Sequence, residues 1–323
     1  MFAGVSAIAT AAGRTARLAT FAALSAVLLA ACAAPEPPPP LPPRADIPHG
    51  QGRLWQVDGD GIETSYVFGT MHVSDPRVLA LPHAIWEAFN KTEIAAFEIA
   101  LAPGEERMRL DEDRVTLPEG TTTRSLVGAR AWGQLVSVYK GKGYWKPRND
   151  VKPWLFWDWL GGAWGTFYGN DRQGDPDKPI LDDFLEQRAR DAGKEVIGLE
   201  TDEEHFAVFD AMPMDIQVSL LQTTLDRYYD RTYGVPRVQI YLDGDLGLAR
   251  ALWEESLGWL EPQAARTLDD RLIHDRNAVL VDRIVPLMQR SSTFVAVGAA
   301  HMPGERGMLR LLEQQGYTVT RLQ

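Results

Sequence analysis

Two histidines in this sequence occupy the same short pattern. His72 ends the segment YVFGTMH and His301 ends the segment FVAVGAAH, so each follows an apolar run and the motif G-x-x-H. A proline (Pro76, Pro303) and an amphipathic segment come shortly after each histidine. This order predicts that both side chains lie just beyond the end of a buried strand, at the edge where α/β sheets bind ligands.

Two glutamates have a matching position. Glu98 lies inside the apolar segment IAAFEI, and Glu200 directly follows the segment VIGL. A carboxylate at the end of an apolar strand needs a metal ion, an arginine or a histidine as its partner, because its burial is otherwise costly. For Glu98 we expect a functional role. For Glu200, capping of the next helix is an equally good interpretation.

Arg276 is a further charged residue in an apolar setting. Together with Asn277 it falls inside the apolar stripe of the helix predicted to start near Leu268. A guanidinium that faces inwards needs an anion. Glu98, Glu200 and a substrate oxygen are the candidate partners, and a purely structural ion pair is the alternative.

Other motifs and histidines give weaker indications. His49, His83 and His205 lie in a stalk, beside a helix start and in an acidic helix turn, and we expect all three at the surface. The sequence contains no H-E-x-x-H motif, no G-x-S-x-G motif and no P-loop. The common sequence patterns of zinc peptidases, serine hydrolases and P-loop nucleotidases are therefore absent.

Buried strands that alternate with helices must position these residues. The pattern predicts an α/β fold with a central sheet flanked by helices. A long helical segment is predicted over about 200–290. The aromatic segment 154–168 is predicted to be a packed core helix. The alternatives are an aromatic wall over a bound ligand or a patch that contacts a membrane. The predicted strands are 54–57, 65–68, 94–99, 195–199, 293–297 and 317–322.

Composition narrows the function classes. The chain has 323 residues, a formal net charge of −11 and an ordinary apolar content of 45%. The acidic balance argues against nucleic acid as a partner, since a protein that binds it carries a basic surface. The single cysteine excludes an intramolecular disulfide framework and a cysteine-rich zinc module.

The N-terminal region has the pattern of a targeting signal followed by a membrane anchor and a linker. Two arginines precede an apolar run that ends in Leu-Ala-Ala-Cys, which resembles the lipobox of bacterial lipoproteins. We expect a signal peptide over 1–31, lipid on Cys32, a proline-rich stalk over 32–50 and a folded domain over 51–323. Because Ala33 is not Asp, the expected location is the periplasmic side of the outer membrane. An ordinary signal peptide is the alternative.

The residues described above resemble the TraB/GumN family, which is related to the Tiki metalloproteases, the ChaN haem-binding lipoproteins and the erythromycin esterases. Taken together, the two G-x-x-H boxes and the glutamate between them are a specific indication of this family. One departure is His205, where the family pattern has Gln, so the resemblance implies no role for that position. The matching segments are Val67–His72, Leu81-Pro82, Ala96–Glu98, Leu181-Asp182, Gly193-Lys194, Gly198–Thr201, Arg276-Asn277, Val297–Gly307 and Gly316-Tyr317.

The resemblance implies two related halves with a cleft that carries both G-x-x-H boxes, and a long helical insert between them. It also implies that His72, Glu98 and His301 are functional positions, with Arg276 nearby. Two imidazoles and a carboxylate are sufficient ligands for a divalent metal ion at an open catalytic site. We therefore predict that these three residues bind Mn, Co or Zn, and that the protein hydrolyses its substrate with a metal-activated water.

Each residue has a role in this hypothesis. Glu98 is a metal ligand or the general base, Arg276 stabilises a developing oxyanion, and Glu200 orients a histidine ligand. The expected substrate is a peptide or a small molecule, because peptide hydrolysis is the chemistry of the Tiki branch. The alternatives are a lipoprotein that binds haem, a metal or a signal molecule without turnover, and a regulatory envelope protein.

Overall fold

The computed structural model describes residues 46–100, 112–160, 178–228 and 237–323. The predicted signal peptide, the predicted lipid acceptor Cys32, most of the predicted stalk and residues 161–168 of the aromatic segment lie outside these ranges. The described residues all belong to one compact unit, Pro40–Gln323. Among their helices, none combines the length with the apolar character that spanning a membrane requires.

A six-stranded sheet forms the centre of the fold, as the sequence predicts. Strands β1 and β2 form an antiparallel hairpin, and β1 also pairs antiparallel with β6. The order across the sheet is β4-β3-β5-β2-β1-β6. The strands are β1 (Leu54–Asp58), β2 (Ser65–Thr70), β3 (Ile94–Phe97), β4 (Glu195–Gly198), β5 (Thr293–Gly298) and β6 (Thr318–Arg321).

Four of these strands run parallel, so their carboxyl ends meet at one edge of the sheet. The register pairs Thr70 at the end of β2 with Gly298 at the end of β5. It also pairs Phe97 at the end of β3 with Ala296 of β5 and with Gly198 at the end of β4. All residues of β2, β3 and β5 are buried, as expected for parallel strands covered on both faces.

The expected division into two related halves is not confirmed. Both G-x-x-H boxes belong to one sheet, because the strands that precede them, β2 and β5, are direct neighbours. Pairing of strands that are far apart in the sequence therefore brings the two histidines together. The sequence pattern shows that a box follows a strand, but it does not show which strands pair.

Helices flank the sheet and fill the intervals between its strands. Helices α7 to α12, with a π-helical turn at Asp270–His274, correspond to the predicted helical segment 200–290. The helices before β4 are α1 (Pro76–Leu79), α2 (His83–Asn90), α3 (Glu112–Val115), α4 (Thr123–Gly141), α5 (Pro153–Trp159) and α6 (Leu181–Asp191). Those after β4 are α7 (Asp202–Asp210), α8 (Met214–Arg227), α9 (Arg237–Leu242), α10 (Leu246–Leu257), α11 (Pro262–Asp269), α12 (Asp275–Arg290) and α13 (Met308–Gln314).

The aromatic residues of α5 lie in a core. Trp154, Phe156 and Trp157 are buried. Trp154 and Phe156 belong to a hydrophobic cluster with Leu135 of α4 and Leu221 of α8. The interpretation as a packed helix is therefore confirmed for the part of segment 154–168 that the structure describes.

The last helix does not begin at the proline that follows the second G-x-x-H box. Pro303 would suit a first helical turn, but α13 starts at Met308. Gly304 has a φ of 101°, a left-handed conformation that a continuing helix does not accept. Residues 304–307 form a turn closed by the N–H of Gly307, which donates to the carbonyl of Gly304 at 3.0 Å.

Candidate active site

The shared edge of the parallel strands gathers the predicted functional residues. His72 follows β2, Glu98 follows β3, Glu200 follows β4, and His301 ends a 3₁₀ turn directly after β5. A pocket of about 290 Å³ opens at this edge, and His72, Glu98, His301 and Arg276 line it. Strand pairing alone therefore places side chains from four distant segments in one site.

Both histidines face the same oxygen of Glu98. Oε1 of Glu98 lies 4.0 Å from Nε2 of His72 and 3.9 Å from Nε2 of His301. The backbone N–H of Gly298 donates to this oxygen at 2.5 Å. Ligand atoms about 2 Å from one tetrahedral metal ion are about 3.3 Å apart, so these two distances are longer than those of a closed metal site. The geometry brings the three predicted ligands close to one another.

The opposite nitrogen of each imidazole has a hydrogen-bond partner. Nδ1 of His72 lies 2.9 Å from Oδ2 of Asp182, whose other oxygen accepts from the hydroxyl of Thr70 at 2.6 Å. Nδ1 of His301 lies 2.6 Å from Oδ1 of Asn277. An acceptor at Nδ1 holds the ring proton there and leaves the lone pair on Nε2, which is the usual arrangement around histidine ligands. Nε2 of His301 accepts a hydrogen bond from Nη1 of Arg276 at 3.3 Å, so a metal ion would have to displace this contact.

Gly298 leaves the space between these groups open. A Cβ atom at this position would lie 3.0 Å from Oε1 of Glu98, 3.6 Å from Cδ2 of His301 and 3.7 Å from Nε2 of His72. Its φ of −51° suits any residue, so the backbone conformation does not require glycine here. Glycine is needed at this position because a side chain would fill the space among the three predicted ligands.

Arg276 is buried between the two glutamates. Its Nε donates to Oε1 of Glu200 at 2.8 Å, and its Nη2 donates to Glu98 and Glu200 at 2.7 Å each. Its Nη1 donates to the carbonyl of Leu272 at 3.2 Å and lies 3.3 Å from Nε2 of His301. All five N–H groups are thus engaged, so the predicted oxyanion role requires one of these contacts to be exchanged for substrate.

The charges of the site follow from these contacts. Burial favours the neutral form of Glu98, but Arg276 and the two histidines hold its pKa well below the usual range. Burial and the charge of Arg276 lower the pKa of His301 to about 4, which keeps this ring neutral. Desolvation opposes the charge of His72, yet Asp182 and Glu98 raise its pKa to about 9. Without a metal ion, a proton on His72 balances the carboxylates.

His205 is closer to the site than the sequence suggests. The expectation of a surface position is wrong, because the ring is half-buried and its Nδ1 lies 3.8 Å from Oε2 of Glu200. This nitrogen is buried without a hydrogen-bond partner in the structure. Glu98, Glu200 and His205 offer ligand atoms within 4.8 Å of one another, so they form a second group able to hold a metal ion. The guanidinium of Arg276 already occupies both carboxylates of this group.

The ligand atoms of His72, His301 and Glu98 do not all lie within 4.8 Å of one another in the structure, so this set would have to contract to hold an ion. Its donor atoms nevertheless suit a divalent cation. It supplies two imidazole nitrogens with held Nδ1 atoms, an ionised carboxylate, and the open space in front of Gly298. Glu200 contacts Arg276 rather than a ring nitrogen of His72 or His301, so Asp182 and Asn277 perform the orienting task that the sequence assigns to Glu200.

Sequence reasoning missed the role of Asp182. The residue sits in the first turn of α6 beside Asp183, where acidic side chains are common because they interact favourably with the helix dipole. Nothing local distinguishes the two. The sequence does indicate a role for Asn277, because a polar side chain inside an apolar stripe needs a hydrogen-bond partner. Its Nδ2 donates to the carbonyl of Arg306 at 2.8 Å, which orients Oδ1 towards His301.

The chain is similar to two curated proteins. The chain is similar to "Metalloprotease TIKI homolog" of Amphimedon queenslandica, with 24% identity over 321 aligned positions. It is also similar to "Metalloprotease TIKI2" of Danio rerio, with 25% identity over 303 positions. The alignments cover 83% and 79% of this chain but only 61% and 58% of those proteins, so the chain spans about three fifths of their length.

No solved structure matches the chain. The family model described as "TraB/PrgY/gumN family" matches residues 53–321, which include all the site residues described above and every strand of the sheet. The chain belongs to the TraB/PrgY/gumN family.

Proposed function

We propose that this protein is a metal-dependent hydrolase that cleaves peptide bonds. The observation that carries the proposal is the convergence of Nε2 of His72 and Nε2 of His301 on one oxygen of Glu98. The names of the two relatives, both metalloproteases, support the same chemistry.

His72, His301 and Glu98 would hold the metal ion. When bound, a divalent cation lowers the pKa of water and polarises a carbonyl group. Glu98 acts as a ligand rather than as the general base, because its depressed pKa makes it a weak base near neutral pH. Asp182 and Asn277 fix the orientation of the two imidazoles through Nδ1.

Arg276 keeps the site in its working charge state. It pairs with Glu200 and with Oε2 of Glu98, which favours the ionised form of Glu98 and leaves Oε1 facing the histidines. Its own burial is possible because two carboxylates pair with it. The direct role of Arg276 is therefore positional, and a substrate oxygen would reach it only by replacing an existing partner.

We further propose that the protein works at the periplasmic face of the outer membrane, anchored by lipid on Cys32. The N-terminal pattern of arginines, apolar run and single cysteine supports this location. Labelling of cells with radioactive palmitate tests it. Lipid incorporation that disappears in Cys32→Ser is expected, and equal labelling of both proteins would reject the anchor.

Peptidase activity is tested on the purified chain 33–323. We expect the protein to hydrolyse a fluorogenic peptide library. A chelator should stop this hydrolysis, and Mn, Co or Zn should restore it. The variants His72→Ala and His301→Ala should lose this activity, while His83→Ala, whose side chain is 85% exposed, should keep it. A wild-type protein that binds metal or haem but hydrolyses no peptide would establish the binding lipoprotein instead.

A further inference from the structure

An exposed aromatic pair marks a surface far in sequence from the active-site residues. Large hydrophobic side chains are rarely exposed in the described part of the chain. Tyr144 and Trp145, at 55% and 86% exposure, are the two most exposed among them and are adjacent in the sequence. The other two, Val279 and Leu322, are less than half exposed and stand alone. Single exposed apolar residues are ordinary, but a neighbouring aromatic pair is not.

The pair lies in a strongly basic segment of an acidic protein. Residues 140–148 read KGKGYWKPR and contain four cations and no acidic residue, in a chain with a net charge of −11. Arg148 forms an ion pair with Asp150 at 3.0 Å, which leaves the three lysines as the local excess of charge. This segment, called the basic aromatic loop below, therefore combines positive charge with exposed ring surface.

A rigid base presents the loop. Helix α4 ends at Gly141, and Gly143, with a φ of 84°, turns the chain away from the helix. Tyr144 packs between Tyr139 and Trp159, with ring centroids 5.7 and 5.8 Å apart respectively. Tyr144 is thus anchored on its inner side, and Trp145 next to it projects into solvent.

We propose that the basic aromatic loop binds a membrane surface rich in anionic phospholipid, with Trp145 in the headgroup region. Tryptophan favours this region because its ring is apolar and its N–H is polar. Each lysine near an anionic surface adds attraction. A protein partner is disfavoured, since lysine is depleted in protein interfaces. This contact is separate from the predicted lipid on Cys32 and does not depend on hydrolase activity.

The loop and the pocket both contact helix α5. Trp159, which supports Tyr144, directly follows Asp158, and Asp158 lines the 290 Å³ pocket.

Co-sedimentation with vesicles tests the proposal. The chain Pro40–Gln323 is the suitable protein, because it is one compact unit and lacks the lipid acceptor. We expect binding to vesicles of phosphatidylglycerol and phosphatidylcholine at low salt, and much weaker binding to phosphatidylcholine alone. Trp145→Ala should lower the partition coefficient about tenfold. Lys140→Gln and Lys146→Gln should each lower it about fivefold.

Matched variants separate the loop from general surface effects. Val279→Ala removes an exposed apolar side chain elsewhere, and Lys91→Gln removes an exposed cation, and both should bind as the wild type does. Trp145→Phe should retain most of the binding. Because Trp145 is exposed, its variants should also keep the wild-type circular dichroism. No preference for anionic vesicles, or equal binding by wild type and Trp145→Ala, would overturn the proposal.

Discussion

At the scale of single residues, Gly298 defines the site most sharply. Its backbone N–H holds Glu98, and the absence of a side chain leaves the space that the three predicted ligands surround. Gly69, the glycine of the first box, has a different task. A Cβ there would lie 3.0 Å from Cα of Ala299, so this glycine lets the two boxes pack closely. The same motif thus serves two purposes in the two strands.

The first prediction is that Gly298→Ala prevents metal binding. The new methyl group would occupy the space beside Glu98, His72 and His301, while the φ of Gly298 accepts alanine. The added volume should cost about 1–3 kcal/mol of unfolding free energy. Isothermal titration with Zn, Mn and Co measures the loss. Gly133→Ala, at a helical position with nothing within 4 Å, is the control and should bind metal normally.

The second prediction concerns Asp182. Removal of its carboxylate in Asp182→Ala should lower metal affinity about 10–100-fold, because Nδ1 of His72 loses the acceptor that orients the ring. Competition with a chelating dye measures the affinity. Asp183→Ala removes the same charge from the same pocket wall and is the control. An equal loss in both variants would show a general charge effect and contradict the orienting role.

The sequence predicted the strand-end positions of the three proposed ligands, but it did not predict which groups contact them. His72, Glu98 and His301 each follow an apolar run, and that local pattern sufficed to predict their position at a strand end. His205 and Asp182 lie on helices in polar surroundings, where the local sequence equally suits a surface position. Their contacts arise from the packing of α6 and α7 against the sheet edge, which no local pattern encodes.

At the scale of elements, the buried ion pairs of Arg276 connect α12 to the sheet. Arg276 lies on α12, and the two glutamates that it contacts follow the ends of β3 and β4. The strands were predictable because each is a short buried run bounded by turn residues. Their order was not, since pairing of β5 between β2 and β3 joins segments about 200 residues apart.

The third prediction is that Arg276→Met destabilises the fold by about 3–5 kcal/mol, because Glu98 and Glu200 stay buried after losing the guanidinium that they share. Urea denaturation measures this change. Arg283→Met on the same helix is the control. Arg283 pairs with Glu204, and its side chain is 39% exposed, so its loss should cost no more than about 1 kcal/mol. Equal stability of the two variants would contradict the buried pair's structural role.

At the scale of the whole molecule, carboxylates determine the response to acid. Burial opposes the charge of Asp269, but His274, Arg250 and Trp253 donate hydrogen bonds to it and hold its pKa below the usual 3.8. A folded-state pKa below the unfolded value adds stability above the unfolded pKa, and that stability is lost as pH falls. Glu204, with a pKa lowered to about 2, acts in the same direction.

The fourth prediction follows from this sign. The free energy of unfolding should fall as pH decreases below about 5. In Asp269→Asn the stability at pH 7 should be lower and the decline with acid shallower, because one depressed carboxyl group is gone. Urea midpoints at pH 7 and at about pH 2.5 measure both effects, because Asp269 loses its contribution only as pH falls below the usual pKa of 3.8. Parallel pH profiles for the two proteins would contradict the assignment to Asp269.

The position of a metal ion tests the central claim most directly. A crystal of the chain 33–323 grown with Mn, Co or Zn gives an anomalous difference map that locates the ion. We predict a single peak within ligand distance of Nε2 of His72, Nε2 of His301 and Oε1 of Glu98, in front of Gly298. A peak at Glu98, Glu200 and His205 instead, or no peak at either position, would contradict it.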